Sequence, residues 1–305
     1  GPDHPGRHLP DERTTAMASP EFQAIVKQMR SAPPLDPTLS IEELRAAYSS
    51  AEWPMPDNTA LTPVDAGGVP GEWVVAAGAD PNRRILHFHG GGYVIGNIDS
   101  HRDMTAAFSH ASGCAALIVD YRLAPAAPWP AGAEDVGAVV AWLQSNGPTY
   151  GGDNSRIYLV GHSAGATHVA GYAFDQALQP DRGAGIAGVV LMSGRYHIAP
   201  EDDDPNLENV QAYFGADASQ YPRRSVITHV DEAADIPTFV VIAEYDNPDL
   251  DTSGAQLFAA LCQRDSACPR FTRMKGHNHL SMIYQFNTVD DALGREVVEF
   301  IQEGR

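Results

Sequence analysis

The sequence predicts an α/β protein: a mostly parallel sheet covered by helices on both faces. Two observations carry this. Seven short segments are almost continuously apolar: Trp73–Ala77, Ile85–His89, Ala115–Tyr121, Ile157–Gly161, Val189–Met192, Phe239–Ala243 and Phe271–Met274. Longer segments of helical length alternate with them, at about 101–112, 133–145, 164–177, 253–264 and 289–303. Strands that are apolar on both faces need cover on both, and alternating helices supply it through parallel crossovers. With 305 residues, 43% of them hydrophobic, the chain can bury a large core.

Taken in order, residues 1–19 are rich in Pro, Asp, Arg and His without periodicity. They read as a flexible tail or a segment left by cloning, with the native chain starting near Met17. Phe22, Ile25, Val26 and Met29 follow at helical spacing. Ser40 and Glu43 have the spacing of a capping box at the start of a second helix. The alternating pattern then runs from about residue 72, broken once. Residues 195–235 carry the acidic run Glu201–Asp204 and are too long for a simple connection, which predicts a lid or cap insertion. Residues 20–305 therefore read as one domain with cap elements at about 20–55 and 195–235.

Composition excludes several function classes. The 39 acidic and 20 basic residues give a net charge of −19, and no basic stretch is present to neutralise phosphates, so no nucleic-acid partner is expected. The only lysines are Lys27 and Lys275, and no run of 18 apolar residues occurs, so no membrane partner is expected. The expectation is a soluble, cytoplasmic protein, with secretion through a processed leader and homo-oligomer formation left open. Cys114, Cys262 and Cys268 are odd in number and lack paired CxxC spacing, so they read as free thiols. The histidine pairs His87/His89 and His277/His279 have no HExxH-like pattern, and no metal or cofactor is expected.

The sharpest motif is Gly161-His162-Ser163-Ala164-Gly165, set between an apolar strand and a small-residue helix. A tight strand-to-helix turn exposes a serine hydroxyl above a helix N-terminus, which favours developing negative charge. Glycines on both sides let neighbouring main chains approach. The second motif is His89-Gly90-Gly91-Gly92, directly after a strand. Bare backbone N–H groups there suit an oxyanion. A phosphate cradle would want a Walker lysine, which is absent. His89 reads as a structural residue orienting the loop, and His87 as a packed strand residue.

Together these motifs carry a family resemblance. Phe88-His89-Gly90-Gly91-Gly92-Tyr93-Val94-Ile95-Gly96 resembles the oxyanion loop of the hormone-sensitive-lipase-like α/β-hydrolases. Asp120-Tyr121-Arg122-Leu123-Ala124-Pro125 with Trp129-Pro130-Ala131 resembles that family's second block, and Ala243-Glu244-Tyr245-Asp246 its acid-bearing loop. The resemblance covers roughly residues 20–303. It implies an α/β-hydrolase fold with an eight-stranded sheet and a small helical cap. It also implies a triad in the chain order Ser163, Asp246 and a histidine from Gly276-His277-Asn278-His279-Leu280. The family's base is the last loop residue before a helix, which selects His279 over His277. Glu244, Asp249 and Asp251 compete with Asp246; Glu244 reads as a supporting residue and the other two as caps of the helix from about 253. The oxyanion donors implied are the backbone N–H groups of Gly91, Gly92 and Ala164. Tyr93, His162, Tyr196 and Phe214, with Trp53 and Met282, are candidates for the pocket, each equally readable as core.

The expected function is hydrolysis of a small-molecule carboxylic ester, short-chain or small aromatic, through an acyl-enzyme. The chain departs from the family pattern at His162, where the family has Asp, at Ala126-Ala127, where it has Glu-His, and at Leu280-Ser281, where it has Gly-Phe. The Gly-His-Ser-Ala-Gly elbow is more similar to arylformamidases and the feruloyl-esterase-like branch. An arylformamidase-like amide hydrolase is therefore the alternative, and a non-catalytic small-molecule receptor a more distant one.

Overall fold

The computed structural model describes residues 20–31, 39–49, 55–146, 156–201, 204–286 and 291–304. Two helices open it, α1 (Pro20–Ser31) and α2 (Ile41–Ser49). Ser40 and Glu43 form the predicted capping box, with Ser40 N donating to Glu43 Oε2 at 2.8 Å and Glu43 N donating to Ser40 Oγ at 3.2 Å. The strands are β1 (Thr59–Asp65), β2 (Pro70–Ala76), β3 (Asp80–Phe88), β4 (Cys114–Val119), β5 (Ile157–His162), β6 (Gly188–Met192), β7 (Thr238–Tyr245) and β8 (Arg270–Asn278). They form one sheet in the order β1-β2-β4-β3-β5-β6-β7-β8. β2 runs antiparallel to both its neighbours, β1 and β4, and the six strands β3 to β8 pair parallel.

Alternate residues of the same strands feed two cores, one on each face. Leu86, Leu117 and Leu159 belong to the first, and their neighbours Ile85, Ala116 and Val160 to the second. This is why β4 and β5 read as unbroken apolar runs. The first core is closed by α4 (Ala131–Asn146), α5 (Ala164–Phe174) and α8 (Leu250–Asp265), and the second by α3 (Ile98–Ser112) and α10 (Ala292–Glu303). Every strand of the parallel set ends with its C-terminus at the same edge, where open α/β sheets place their ligands.

Residues 195–235 hold α6 (Leu207–Phe214), α7 (Tyr221–Arg224) and short 3₁₀ turns. They pack in a third cluster in which Val210, Tyr213 and Phe214 meet Tyr93 and Ala164, over the sheet's C-terminal edge. Arg45 of α2 reaches the same edge, donating from Nε to the Val94 carbonyl (2.8 Å) and from Nη2 to the Ala124 carbonyl (3.0 Å). Among the described residues no helix is long and apolar enough to cross a membrane.

Three expectations need correction or completion. The eighth strand, β1, lies outside the seven apolar segments: it is a mostly exposed edge strand carrying Pro63, which leaves no apolar run to find. Cys262 and Cys268 are bridged rather than free. Cys262 lies in the last turn of α8, and the chain turns back so that their Cα atoms are 4.2 Å apart. Cys114 is a free, buried thiol. Asp249 does stand at the N-cap of α8, but its side chain makes no capping bond. Residues 1–19 and Trp53 lie outside the described residues.

Candidate active site

β5 ends at His162, and Ser163 takes φ 55° and ψ −123° before α5 begins at Ala164. This left-handed backbone is the strained turn expected of an exposed nucleophile. Sterics explain the flanking glycines. A Cβ on Gly165 would stand 1.9 Å from the Phe88 carbonyl oxygen, and one on Gly161 2.6 Å from Ala166 N. The turn is held because Ser163 N donates to Met192 O at 2.9 Å, extending the β5–β6 ladder by one residue.

The Gly90–Gly92 loop follows β3, the strand beside β5. A Cβ on Gly90 would be 3.1 Å from Ser163 Cβ, so this loop lies directly against the serine. Gly91 adopts φ 130° and accepts from the amides of Val94 (3.2 Å) and Ile95 (3.0 Å). His89 has the structural role expected: its Nδ1 lies 2.7 Å from the Gly90 carbonyl oxygen, and its ring stacks between those of His101 and Tyr121. Tyr121, from the second motif block, donates its hydroxyl to the His89 carbonyl at 2.7 Å. His87 is a buried strand residue paired with Thr105 Oγ1 at 2.7 Å.

Asp246 and His279 meet across the ends of β7 and β8. His279 Nδ1 and Asp246 Oδ1 are 2.8 Å apart. Asp246 also accepts from Ser193 Oγ at 2.5 Å and from the amides of Ala243 (3.1 Å) and Asn247 (3.0 Å). Burial pushes this carboxyl up, but the hydrogen bond and charge of His279, then Ser193 and the Ala243 amide, outweigh it and hold it below its ordinary value. An ionised Asp246 can only accept, so Nδ1 of His279 is the donor of this bond.

The competing residues are elsewhere. Glu244 accepts from Gly276 N (2.8 Å) and Arg273 Nη1 (3.1 Å), which is the supporting role expected. His277, the other histidine of the loop, is buried, with Nδ1 3.2 Å from Ser281 Oγ.

Ser163, Gly91, Gly92, Ala164 and His279 all line one cavity of about 380 Å³. Tyr93 and His162 line it too. His162 is buried, with Nε2 2.8 Å from the His279 carbonyl oxygen and its ring 4.5 Å from that of His279. Burial and then the His279 charge keep its imidazole well below the ordinary value, so it is a neutral brace. Tyr196 and Phe214 do not line this cavity. Tyr196 is fully buried, its hydroxyl accepting from Gly194 N, and Phe214 packs against Tyr93. Met282 is buried behind the acid, with its sulfur 3.1 Å from Ser193 Oγ.

Sequence reasoning missed Arg195, Asn206, Asn209 and Asn247, and Tyr48, Ile283 and Tyr284, all of which line the cavity. The available signal was positional: Ser193-Gly194-Arg195 follows β6 at the ligand-bearing edge of the sheet. Among the described residues no group of three or more His, Cys, Asp or Glu is arranged to hold a metal ion.

Over 145 residues the chain is 35% identical to Carboxylesterase NlhH of Mycobacterium tuberculosis, covering 47% of this chain and 40% of that protein. Over 153 residues it is 36% identical to an acetyl-hydrolase of Streptomyces hygroscopicus, covering 49% of each. The chain thus spans less than half the length of these relatives. Among solved structures it is similar to an esterase from the bacterial hormone-sensitive lipase family, with a TM-score of 0.78, 24% identity, and coverage of 94% of this chain and 98% of that one. A family model described as alpha/beta hydrolase fold matches residues 85–281, which include both glycine motifs, Asp246 and His279. This chain belongs to the alpha/beta hydrolase fold family.

Proposed function

We propose that this chain is a carboxylic ester hydrolase acting through an acyl-enzyme. The observation that carries the reading is the opening of the strained Ser163 turn and the Asp246-braced His279 on one cavity. Ser163 Oγ attacks the ester carbonyl while His279 Nε2 takes its proton. Asp246 fixes the tautomer and stabilises the imidazolium. The N–H groups of Gly91, Gly92 and Ala164 receive the oxyanion, aided by the α5 N-terminus. His279 then returns its proton to the leaving alkoxide and activates the water that releases the acid.

Residues 20–55 and 195–235 act as cap elements; α2 contributes Tyr48 and α6 contributes Asn206, Asn209 and Val210 to the cavity wall. A cavity of this volume suits small esters, with acyl chains of roughly eight carbons or fewer. The name of the acetyl-hydrolase relative points the same way. A panel of 4-nitrophenyl esters from acetate to palmitate, with Ser163→Ala as the blank, tests the reading. Ser163-dependent turnover that falls beyond about eight carbons is expected. Turnover equal in the two proteins would overturn it.

A further inference from the structure

The cavity wall carries two kinds of side chain. Ile95, Leu280, Ile283 and Tyr284, with Tyr48 of α2, are apolar or aromatic. Arg195, Asn206, Asn209 and Asn247 are polar; Arg195 Nη2 and Asn206 N both donate to Asp204, which gathers the polar half around Arg195, with Val210 and Leu250 as its apolar neighbours. Arg195 follows β6 and is only 3% exposed. A buried guanidinium is costly to keep where an apolar residue would fill the space.

Its immediate partners are Asp204, Asp249 and the Tyr93 hydroxyl. Nη2 donates to Asp204 Oδ2 at 2.8 Å, and the Asp204 side chain is wholly buried. Nη1 is 3.9 Å from Asp249 Oδ2, too long for a hydrogen bond, and that carboxylate is half exposed and screened by solvent. A planar guanidinium bonded along one edge can take a second carboxylate along another.

The backbone around it has the same polarity. α6 starts beside Asn206 and α8 starts at Leu250, and both residues line the cavity. Two helix N-termini therefore lie beside this half, each already served by a carboxylate: Asn206 N donates to Asp204 Oδ1 at 2.8 Å and Thr252 N to Asp251 Oδ1 at 2.7 Å. Asn206 makes no side-chain capping bond. Asn209, on the next turn, bridges toward the reaction centre: a Cβ on Gly92 would lie 3.0 Å from its Nδ2.

We propose that the Arg195 half of the cavity is a subsite for a carboxylate, so that the substrate is an ester with an apolar or aromatic part on one side of the scissile carbonyl and a carboxylate on the other. This rests on the ester-hydrolase reading above. The subsite binds the carboxylate through Arg195 and the amides of Asn206 and Asn209, while the other half packs the apolar part.

Two isosteric probe pairs test it at pH 8. Phenyl hydrogen glutarate against phenyl 4-carbamoylbutanoate puts the charge on the acyl side; 4-acetoxybenzoate against 4-acetoxybenzamide puts it on the alcohol side. In at least one pair the acid should exceed its amide in kcat/KM by about tenfold or more, mainly through KM. Arg195→Gln paired with Asp204→Asn removes the guanidinium without leaving a buried charge, and should bring that ratio close to one. Asn206→Asp keeps a good helix N-cap while adding a negative charge, and should lower the ratio too. Hydrolysis of the amide probes with no preference for the acids, or a preference that survives both variants, would overturn the carboxylate subsite alone. Failure to cleave any of the four probes would overturn the hydrolase reading beneath it.

Discussion

Lowering the pH from 8 to 5 should cost this protein much of its stability, because several buried imidazoles must stay neutral. His87, His89 and His168 surround the candidate oxyanion loop and are all buried. Burial pushes their pKa values down to about 3, about 4 and about 3, with the neighbouring His89 adding to the effect on His87 and His168. In the unfolded chain each would titrate at about 6.5. A depressed histidine favours the folded state only while both states are neutral, so its contribution is full above the unfolded value. It is lost as pH falls from about 6.5 toward 3–4. At pH 5 an unfolded histidine has gained most of a proton that its folded counterpart refuses, which costs about 2 kcal/mol per residue and ~6 kcal/mol for the three. That is comparable with the 5–15 kcal/mol that holds a typical domain together. His101 and His162 are shifted in the same direction and would add to the loss. Guanidinium denaturation followed by fluorescence at pH 8 and pH 5 measures the difference. His168→Phe localises it. That ring sits among Tyr121, Tyr213 and Tyr93 with neither nitrogen bonded to a protein group, so phenylalanine keeps the aromatic contacts. The variant should shrink the loss by about 2 kcal/mol. Equal stability of the unmodified protein at the two pH values would refute the reasoning.

Further outcomes follow from the site. His279→Ala should lower kcat on esters by at least ~10⁴-fold, whereas His277→Ala should cost under about tenfold; the reverse pattern would reassign the base. Ser193→Ala removes one of the groups that hold Asp246 low, and should cost roughly tenfold in kcat with KM nearly unchanged. Gly165→Ala should give no soluble folded protein by circular dichroism, since its Cβ would strike the Phe88 carbonyl and neither main chain can move independently.

What the sequence made legible was whatever depends on local pattern. Strands buried on both faces are apolar without interruption, so β4 to β7 could be read directly, and β2, β3 and β8 from shorter apolar stretches. The Ser163 turn could be read because its strand, motif and helix are contiguous in the chain, although the approach that requires Gly165 comes from the distant Phe88 carbonyl. Properties set by distant partners were hidden. β1 is exposed along one edge and carries no apolar run. The Cys262–Cys268 bridge depends on the chain reversing after α8, which spacing alone does not encode. Tyr196 and Phe214 have the composition of pocket residues, yet Phe214 packs onto Tyr93 and Tyr196 is part of the main core. Arg195 looked like any residue of a polar insertion until Asp204 was seen to hold it inside.

The central claim, that Ser163 is a covalent nucleophile served by His279, is tested most directly by trapping it. Incubating the protein with a fluorophosphonate and mapping the adduct by peptide mass spectrometry should place one phosphonyl group on the peptide containing Gly161–Gly165, at Ser163. Labelling should be lost in Ser163→Ala and strongly slowed in His279→Ala. An adduct on another residue, or labelling that proceeds equally without His279, would contradict the account.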